Sequence, residues 1–283
     1  METFGSRLAA AVGRFGNLCV GIDPHPALLA AWGIPDSPAG VEQFSATVLE
    51  AVAGRVAIIK PQVALFERHG SQGMAALEHL LARSAESGVL TIADAKRGDI
   101  GSTMAGYADA WLRNGSALAA DALTLSPYLG FESLRPALTV ARENGRGVFV
   151  LALTSNPEGA SVQHVGGEDS VARRIVQAAA AENDDGVPGS VGLVIGATAG
   201  DAVRQLRLDL STLNGPILAP GVGAQGAGRQ ELRKTFARTS GIILPTSSRE
   251  ILSAGPTVAG LRRAVAATQH QVGPGNGAGP GTD

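Results

Sequence analysis

Short apolar runs recur along this chain, each closed by a turn signal and followed by a longer amphipathic or alanine-rich stretch. The runs are residues 18–22, 56–59, 89–93, 122–125, 148–153, 191–195, 217–219 and 242–244. Helix-like stretches between them include 41–53, 74–84, 104–112, 171–181 and 228–237. Strands that alternate with helices imply βαβ units and a parallel sheet. Eight such units in 283 residues predict a (β/α)8 TIM barrel of the α/β class, with a doubly wound open sheet as the alternative. No repeat beyond this alternation is present. The barrel is expected to occupy residues 1–272 as one domain, with a short helix in residues 1–16 ahead of the first strand. Segment 154–170, carrying Gly159, Gly166 and Gly167, is long for a βα loop and is a lid candidate. Residues 273–283, rich in Gly and Pro, are expected to be a disordered tail.

Composition narrows the class. Hydrophobic residues make up 45% and charged residues 17%, as in a compact globular enzyme rather than a disordered chain. A net charge of −2 without any block of like charge argues against nucleic-acid and membrane-surface partners. No apolar run has the length of a membrane span, and the residues after Met1 lack the apolar core of a secretory signal. The cytoplasm is the expected compartment. The single cysteine, Cys19, rules out an intrachain disulfide framework and reads as a buried core thiol.

The candidate chemistry begins with the lysines. Only three are present, Lys60, Lys96 and Lys234, against twenty arginines. Two of the three nonetheless follow strand-like runs. A lysine can have its pKa tuned into a working range, whereas an arginine stays cationic. The stretch Asp94-Ala95-Lys96-Arg97-Gly98-Asp99 sets two carboxylates around a lysine where an apolar run stops. Strand alternation would put Asp94 and Lys96 on one side, and Gly98 would allow a tight turn that brings Asp99 toward the same mouth. In a barrel, functional groups gather at the C-terminal ends of strands. Asp23, Lys60, Asp94, Lys96 and Asp99, the residues Thr154-Ser155-Asn156, the loop Gly221 to Gly226 and Arg249 would then share one rim. That rim reads as an anion-handling active site.

The loop after the seventh run contains Gly221, Gly223 and Gly226 in a GxGxxG spacing. A dinucleotide site would carry this spacing in the first βαβ unit, with an acidic residue about 20 positions on. Here it comes late and lacks that acid. A barrel phosphate site built from the loops after strands 7 and 8 fits better, with loop N–H groups as a cradle and Arg249 as the fixed charge. The five histidines show no metal-ligand spacing, and no Ser–His–Asp or Cys–His set falls at the strand ends. Metal-free chemistry, or Mg²⁺ held by Asp94 and Asp99, are the options left.

With these residues in place the chain resembles the orotidine 5'-phosphate decarboxylases, over Gly16 to about Arg249, and most closely their longer bacterial branch. The resemblance rests on Gly21-Ile22-Asp23-Pro24, Ile59-Lys60-Pro61-Gln62, the Asp94–Asp99 block and Thr124-Leu125-Ser126-Pro127-Tyr128-Leu129-Gly130, spaced over separate strands. It implies conversion of orotidine 5'-phosphate to UMP and CO₂ without metal or organic cofactor. By the same resemblance, Lys60, Asp94, Lys96 and Asp99 form a charged tetrad in which Lys96 protonates C6. Asp99 would serve the neighbouring subunit of a homodimer with shared sites. Asp23 and Lys60 would meet the ribose hydroxyls, Ser155 the pyrimidine edge, and Gln225 and Arg249 the phosphate. Two positions depart from the family pattern. Shorter members often have an arginine where this chain has Gly223, and residues 246–249 read Thr-Ser-Ser-Arg rather than a compact Gly-Arg-Ser.

The Asp-x-Lys-x-x-Asp arrangement also occurs in Mg²⁺-dependent sugar-phosphate decarboxylases and hexulose-phosphate synthases. Lys60 argues against a metal, because a cation there repels Mg²⁺. A Schiff-base aldolase would need a neutral amine, which flanking carboxylates oppose. An inactive phosphosugar-binding barrel is the non-enzyme alternative, and binding alone does not need carboxylates crowded around a lysine.

Overall fold

The computed structural model describes residues 2–183, 187–223 and 227–273. Eight parallel strands close into a barrel: β1 (Cys19–Ile22), β2 (Ile58–Pro61), β3 (Leu90–Arg97), β4 (Ala122–Leu125), β5 (Gly147–Leu153), β6 (Val191–Ile195), β7 (Ile217–Pro220) and β8 (Ile243–Ser247). All eight expected strands are present in sequence order. Closure is made by β1 against β8, where Cys19 pairs with Thr246 and Val20 with Ser247, so the open doubly wound sheet is excluded. The strands β2, β3 and β8 run past their apolar residues. Their polar ends carry on the inward-facing period of two, so Lys60, Asp94, Lys96 and Thr246 lie inside strands rather than in loops.

That period sorts the core into two clusters. Cys19, Ile58, Ile92, Ala122, Phe149, Val194, Leu218 and Leu244 fill the barrel interior. Their chain neighbours Val20, Ile59, Ala93, Leu123, Val148, Leu193, Ile217 and Ile243 pack outward under the helices. Strands buried on both faces read as unbroken apolar runs, as the sequence does here. The expected helices correspond to Pro38–Val52, Gly70–Glu86, Gly101–Leu112, Val171–Ala181 and Arg229–Phe236, with 41–53 and 228–237 overrunning the observed ends by one residue each. Helices Arg135–Glu143, Gly200–Gln205 and Val258–Val272, which the sequence pattern does not single out, complete the outer layer. No described helix is long and apolar enough to cross a membrane.

The helix expected before the first strand is Phe4–Phe15, N-capped by Thr3, whose side chain accepts from the Ser6 N–H. It seals the N-terminal end of the barrel. Phe4 and Leu8 are fully buried in the interior cluster. Phe4 meets Phe149 edge-on at 6.1 Å between ring centroids. A Cβ at Gly147 would lie 2.2 Å from the Phe4 ring, so glycine is what admits the aromatic plug. Arg7 anchors the helix to Asp121 at 2.5 Å, and the same carboxylate accepts from the Thr91 N–H at 2.9 Å.

Segment 154–170 is not an open loop. It contains the short turns Pro157–Gly159, Ala160–Gln163 and Gly167–Asp169. Gln163 fixes its base, accepting from the Thr154 N–H and donating to the Thr154 hydroxyl, both at 2.8 Å. The expected tail falls mostly on residues 274–283, which lie outside the described residues.

Candidate active site

A cavity of about 390 Å³ opens at the C-terminal end of the barrel. Of the residues expected on the rim, Asp23, Lys60, Asp94, Lys96, Thr154, Ser155, Asn156, Gly221, Val222 and Arg249 line it. Asp99 and Gly223 do not, and Gln225 lies outside the described residues.

Asp94 is the centre of the charge array. Its Oδ2 accepts from Lys60 Nζ at 2.8 Å and its Oδ1 from Lys96 Nζ at 2.6 Å. Lys60 also donates to Gln62 Oε1 at 3.2 Å and lies 4.0 Å from Asp23 Oδ1. Burial penalises the Asp94 charge, but Lys60 and Lys96 outweigh it and hold the carboxyl well below the usual carboxylate range. Burial likewise disfavours the Lys60 ammonium, and Asp94 and Asp23 reverse this and raise its pKa. Lys96 differs in access. Its side chain is 45% exposed against 6% for Lys60, so it can reach a molecule in the cavity while its carboxylate partner stays buried. Asp23 Oδ1 is buried with no hydrogen-bond partner among the described residues, and it offers an acceptor to a ligand hydroxyl. Beneath this layer Cys19 is the buried thiol expected, pushed up to about 12 by burial.

Asp94 and Lys96 do meet on one side of β3, but alternation is not the whole reason. The β3–β4 register shifts between Ala93 and Arg97, and Lys96 has φ +49°, in the left-handed region that a non-glycine residue rarely adopts. Gly98 also differs from expectation. It has no positive φ, and it is glycine because a Cβ would lie 2.4 Å from the Ser126 carbonyl oxygen. The chain through Gly98 does not bring Asp99 to the cavity of its own chain. Asp99 Oδ1 accepts from the Ile100 N–H at 2.8 Å, ahead of helix Gly101–Leu112. On this side of the molecule Ile100, Tyr128 and Leu129 are exposed apolar side chains.

At the other side of the cavity the glycines divide. Gly221 lines it with φ +106°. Gly223 donates its N–H to the Ala227 carbonyl at 3.1 Å, so that group is used within the loop and is no part of a cradle. The Arg249 side chain is exposed at the cavity edge, at the first position of the turn Arg249–Leu252, and forms no ion pair among the described residues. Gly21 leaves room for Ser248, whose Oγ would be 1.9 Å from a Cβ there. Sequence reasoning assigned no role to Gln62, Thr124 or Thr246. The available signal at Thr124 and Thr246 was a polar residue within a strand buried throughout, whereas Gln62 lies just past β2 and carries no such signal. Lys60 and Lys96 carry ammonium groups onto a shared buried carboxylate, which equips the site to offset negative charge developing between them and to deliver a proton there.

Residues 16–264 match the family described as orotidine 5'-phosphate decarboxylase / HUMPS. An orotidine 5'-phosphate decarboxylase of Streptomyces coelicolor (strain ATCC BAA-471 / A3(2) / M145) is 53% identical over 267 residues, covering 93% of this chain and 95% of the relative. A crystal structure from Streptomyces avermitilis ma-4680, provisionally named for the same activity, superposes with TM-score 0.90 at 51% identity, over 96% of this chain and 95% of the other. The OMP decarboxylase structure from Leishmania donovani gives TM-score 0.73 at 29% identity, over 95% of this chain and 98% of the other. The shared barrel, the lysine–carboxylate array at its mouth and these likenesses together assign the chain: it belongs to the orotidine 5'-phosphate decarboxylase / HUMPS family.

Proposed function

We propose that this chain converts orotidine 5'-phosphate to UMP and CO₂, with no metal or organic cofactor. The observation that carries the reading is the buried Asp94 carboxylate held between the ammonium groups of Lys60 and Lys96. As the C6–carboxylate bond breaks, CO₂ departs and the electron pair stays on C6. Lys96 then transfers its Nζ proton to C6, and water restores the ammonium. A cation already fixed beside the developing carbanion costs no reorganisation at the moment of reaction. Asp94 keeps that cation protonated and oriented until it is used.

In this reading Asp23 and Lys60 meet the ribose hydroxyls, Ser155 the pyrimidine edge, and Gly221, Gln225 and Arg249 the phosphate. Phosphate binding remote from C6 supplies energy for closing the site and desolvating the ring. Asp99, which does not line the cavity of its own chain, completes the partner's site in a cytoplasmic homodimer, and exposed Ile100, Tyr128 and Leu129 suit the face that pairs. A Mg²⁺-dependent relative is disfavoured because two ammonium groups occupy the carboxylate that would hold the ion. The test is a spectrophotometric assay of orotidine 5'-phosphate loss with and without EDTA. Unchanged turnover in chelator is expected. Loss in EDTA with recovery on added Mg²⁺ would move the chain to its sugar-phosphate relatives.

A further inference from the structure

We infer that Thr124 is a positioning residue for the reacting lysine, acting through its hydroxyl on both Lys96 and Asp94. This rests on the decarboxylase reading for its kinetic consequence but not for its geometry. In a regular parallel ladder the backbone groups of β3 alternate between its two neighbours, and the N–H at position 96 would face β2, as that of Leu90 does in donating to the Ala57 carbonyl at 3.2 Å. The register shift between Ala93 and Arg97 interrupts that ladder, and the Lys96 N–H donates to Thr124 Oγ1 at 2.9 Å instead. The side-chain oxygen thus stands in for a main-chain acceptor at the one β3 residue with positive φ.

The same hydroxyl has a proton to place. Asp94 Oδ1 lies at 3.0 Å and the Ala93 carbonyl at 3.5 Å, so the closer, charged acceptor takes it. Asp94 Oδ1 is also the atom that accepts from Lys96 Nζ at 2.6 Å. A closed ring results. Thr124 holds the backbone of Lys96 at one end and, through Asp94, its ammonium at the other. Thr124 is fully buried, so no solvent competes for these bonds. A left-handed non-glycine residue persists only where its surroundings over-determine it. Here Thr124 supplies that constraint from behind two lining residues, without itself lining the cavity.

The experiment compares Thr124→Val, which keeps the branched shape, with Thr124→Ser, which keeps the hydroxyl. The three lysines of the chain make a second readout simple, because lysine labelled at Cε with ¹³C gives three resonances. Thr124→Val is expected to lower kcat by about tenfold or more while UMP affinity stays within about threefold, and Thr124→Ser is expected to recover most of the loss. In the NMR spectrum Thr124→Val should shift the Lys96 resonance toward that of exposed Lys234, leave Lys234 unmoved, and be reversed by serine. If valine prevents folding, Thr124→Ala against Thr124→Ser makes the same comparison. A hydroxyl-free variant with parental kcat, a serine variant as impaired as that variant, or an unchanged Lys96 resonance would overturn the inference. An inactive parent would overturn the decarboxylase reading alone, since the lysine spectrum still tests Thr124.

Discussion

Replacing Asp94 by asparagine is the sharpest test of how the charge array is held. The change is nearly isosteric and leaves the amide to face two ammonium groups, at Lys60 and Lys96. A unit-charge pair about 4 Å apart is worth about 4 kcal/mol at an effective dielectric near 20, and the Lys60–Asp94 contact is closer, at 2.8 Å. Desolvation offsets much of that gain, but removing one partner leaves the other charge uncompensated, and breaking a buried pair costs about 3–5 kcal/mol. Lys60 bears that cost because it is buried, and Asp23 at 4.0 Å offsets only part of it. Lys96 is 45% exposed and re-solvates, so its share is small. The expected loss at neutral pH is therefore about 3 kcal/mol or more, read by urea denaturation.

The pH dependence gives the sign. The folded-state pKa of Asp94 is depressed, so its contribution is present above the unfolded value of 3.8 and is lost as pH falls through the lower folded value. The pKa of Lys60 is raised, so its contribution is complete below 10.5 and is lost only as pH rises through the higher folded value. The gap between parent and Asp94→Asn should be widest between these limits and shrink in strong acid. Equal stability at neutral pH, or a gap that does not narrow on acidification, would refute the reasoning.

Lys96→Ala should abolish turnover yet fold and still bind UMP, because the proton donor is lost while the buried Lys60–Asp94 pair remains; kcat within tenfold of the parent's would sink the assignment. Arg249→Ala should weaken UMP by about 2 kcal/mol, some thirtyfold in Kd, and leave uridine nearly unaffected; equal losses for both would remove Arg249 from the phosphate. Refolding Lys96→Ala and Asp99→Ala chains together should return about a quarter of parental activity, since about half the dimers are mixed and each has one intact site. No recovery from demonstrably mixed dimers would rule out a shared site.

The sequence disclosed the barrel well, because strands covered on both faces leave unbroken apolar runs and their order leaves few topologies. Lys60, Asp94 and Lys96 were legible for a related reason: ionisable residues at the ends of such runs have few structural explanations. The local backbone was not legible. Nothing in Asp-Ala-Lys announces that Lys96 turns left-handed, since that conformation depends on the Thr124 hydroxyl 28 residues away. Gly98 misled in the same way, because a glycine needed for close approach to Ser126 looks in sequence like one needed for a turn. Gly223 reads as part of a phosphate cradle, yet the Val222–Ala227 bridge consumes its N–H within the loop. Each of these depends on a partner that spacing alone does not identify.

The aromatic seal at the far end of the barrel has a consequence for the order of assembly. Helix Phe4–Phe15 is synthesised before any strand of the barrel, but its seat is built from much later residues: Asp121, Gly145, Gly147, Phe149 and Ser190. The apolar face of the helix must wait, unsheathed, until the sixth strand is about to begin, and it then docks as a stopper on a nearly finished vessel. Loss of the first fifteen residues would uncork the interior around Phe149 from below and let water in beneath the charged layer. Damage at the start of the chain would thus reach Lys60 and Asp94 through the floor of the barrel, leaving the mouth itself untouched.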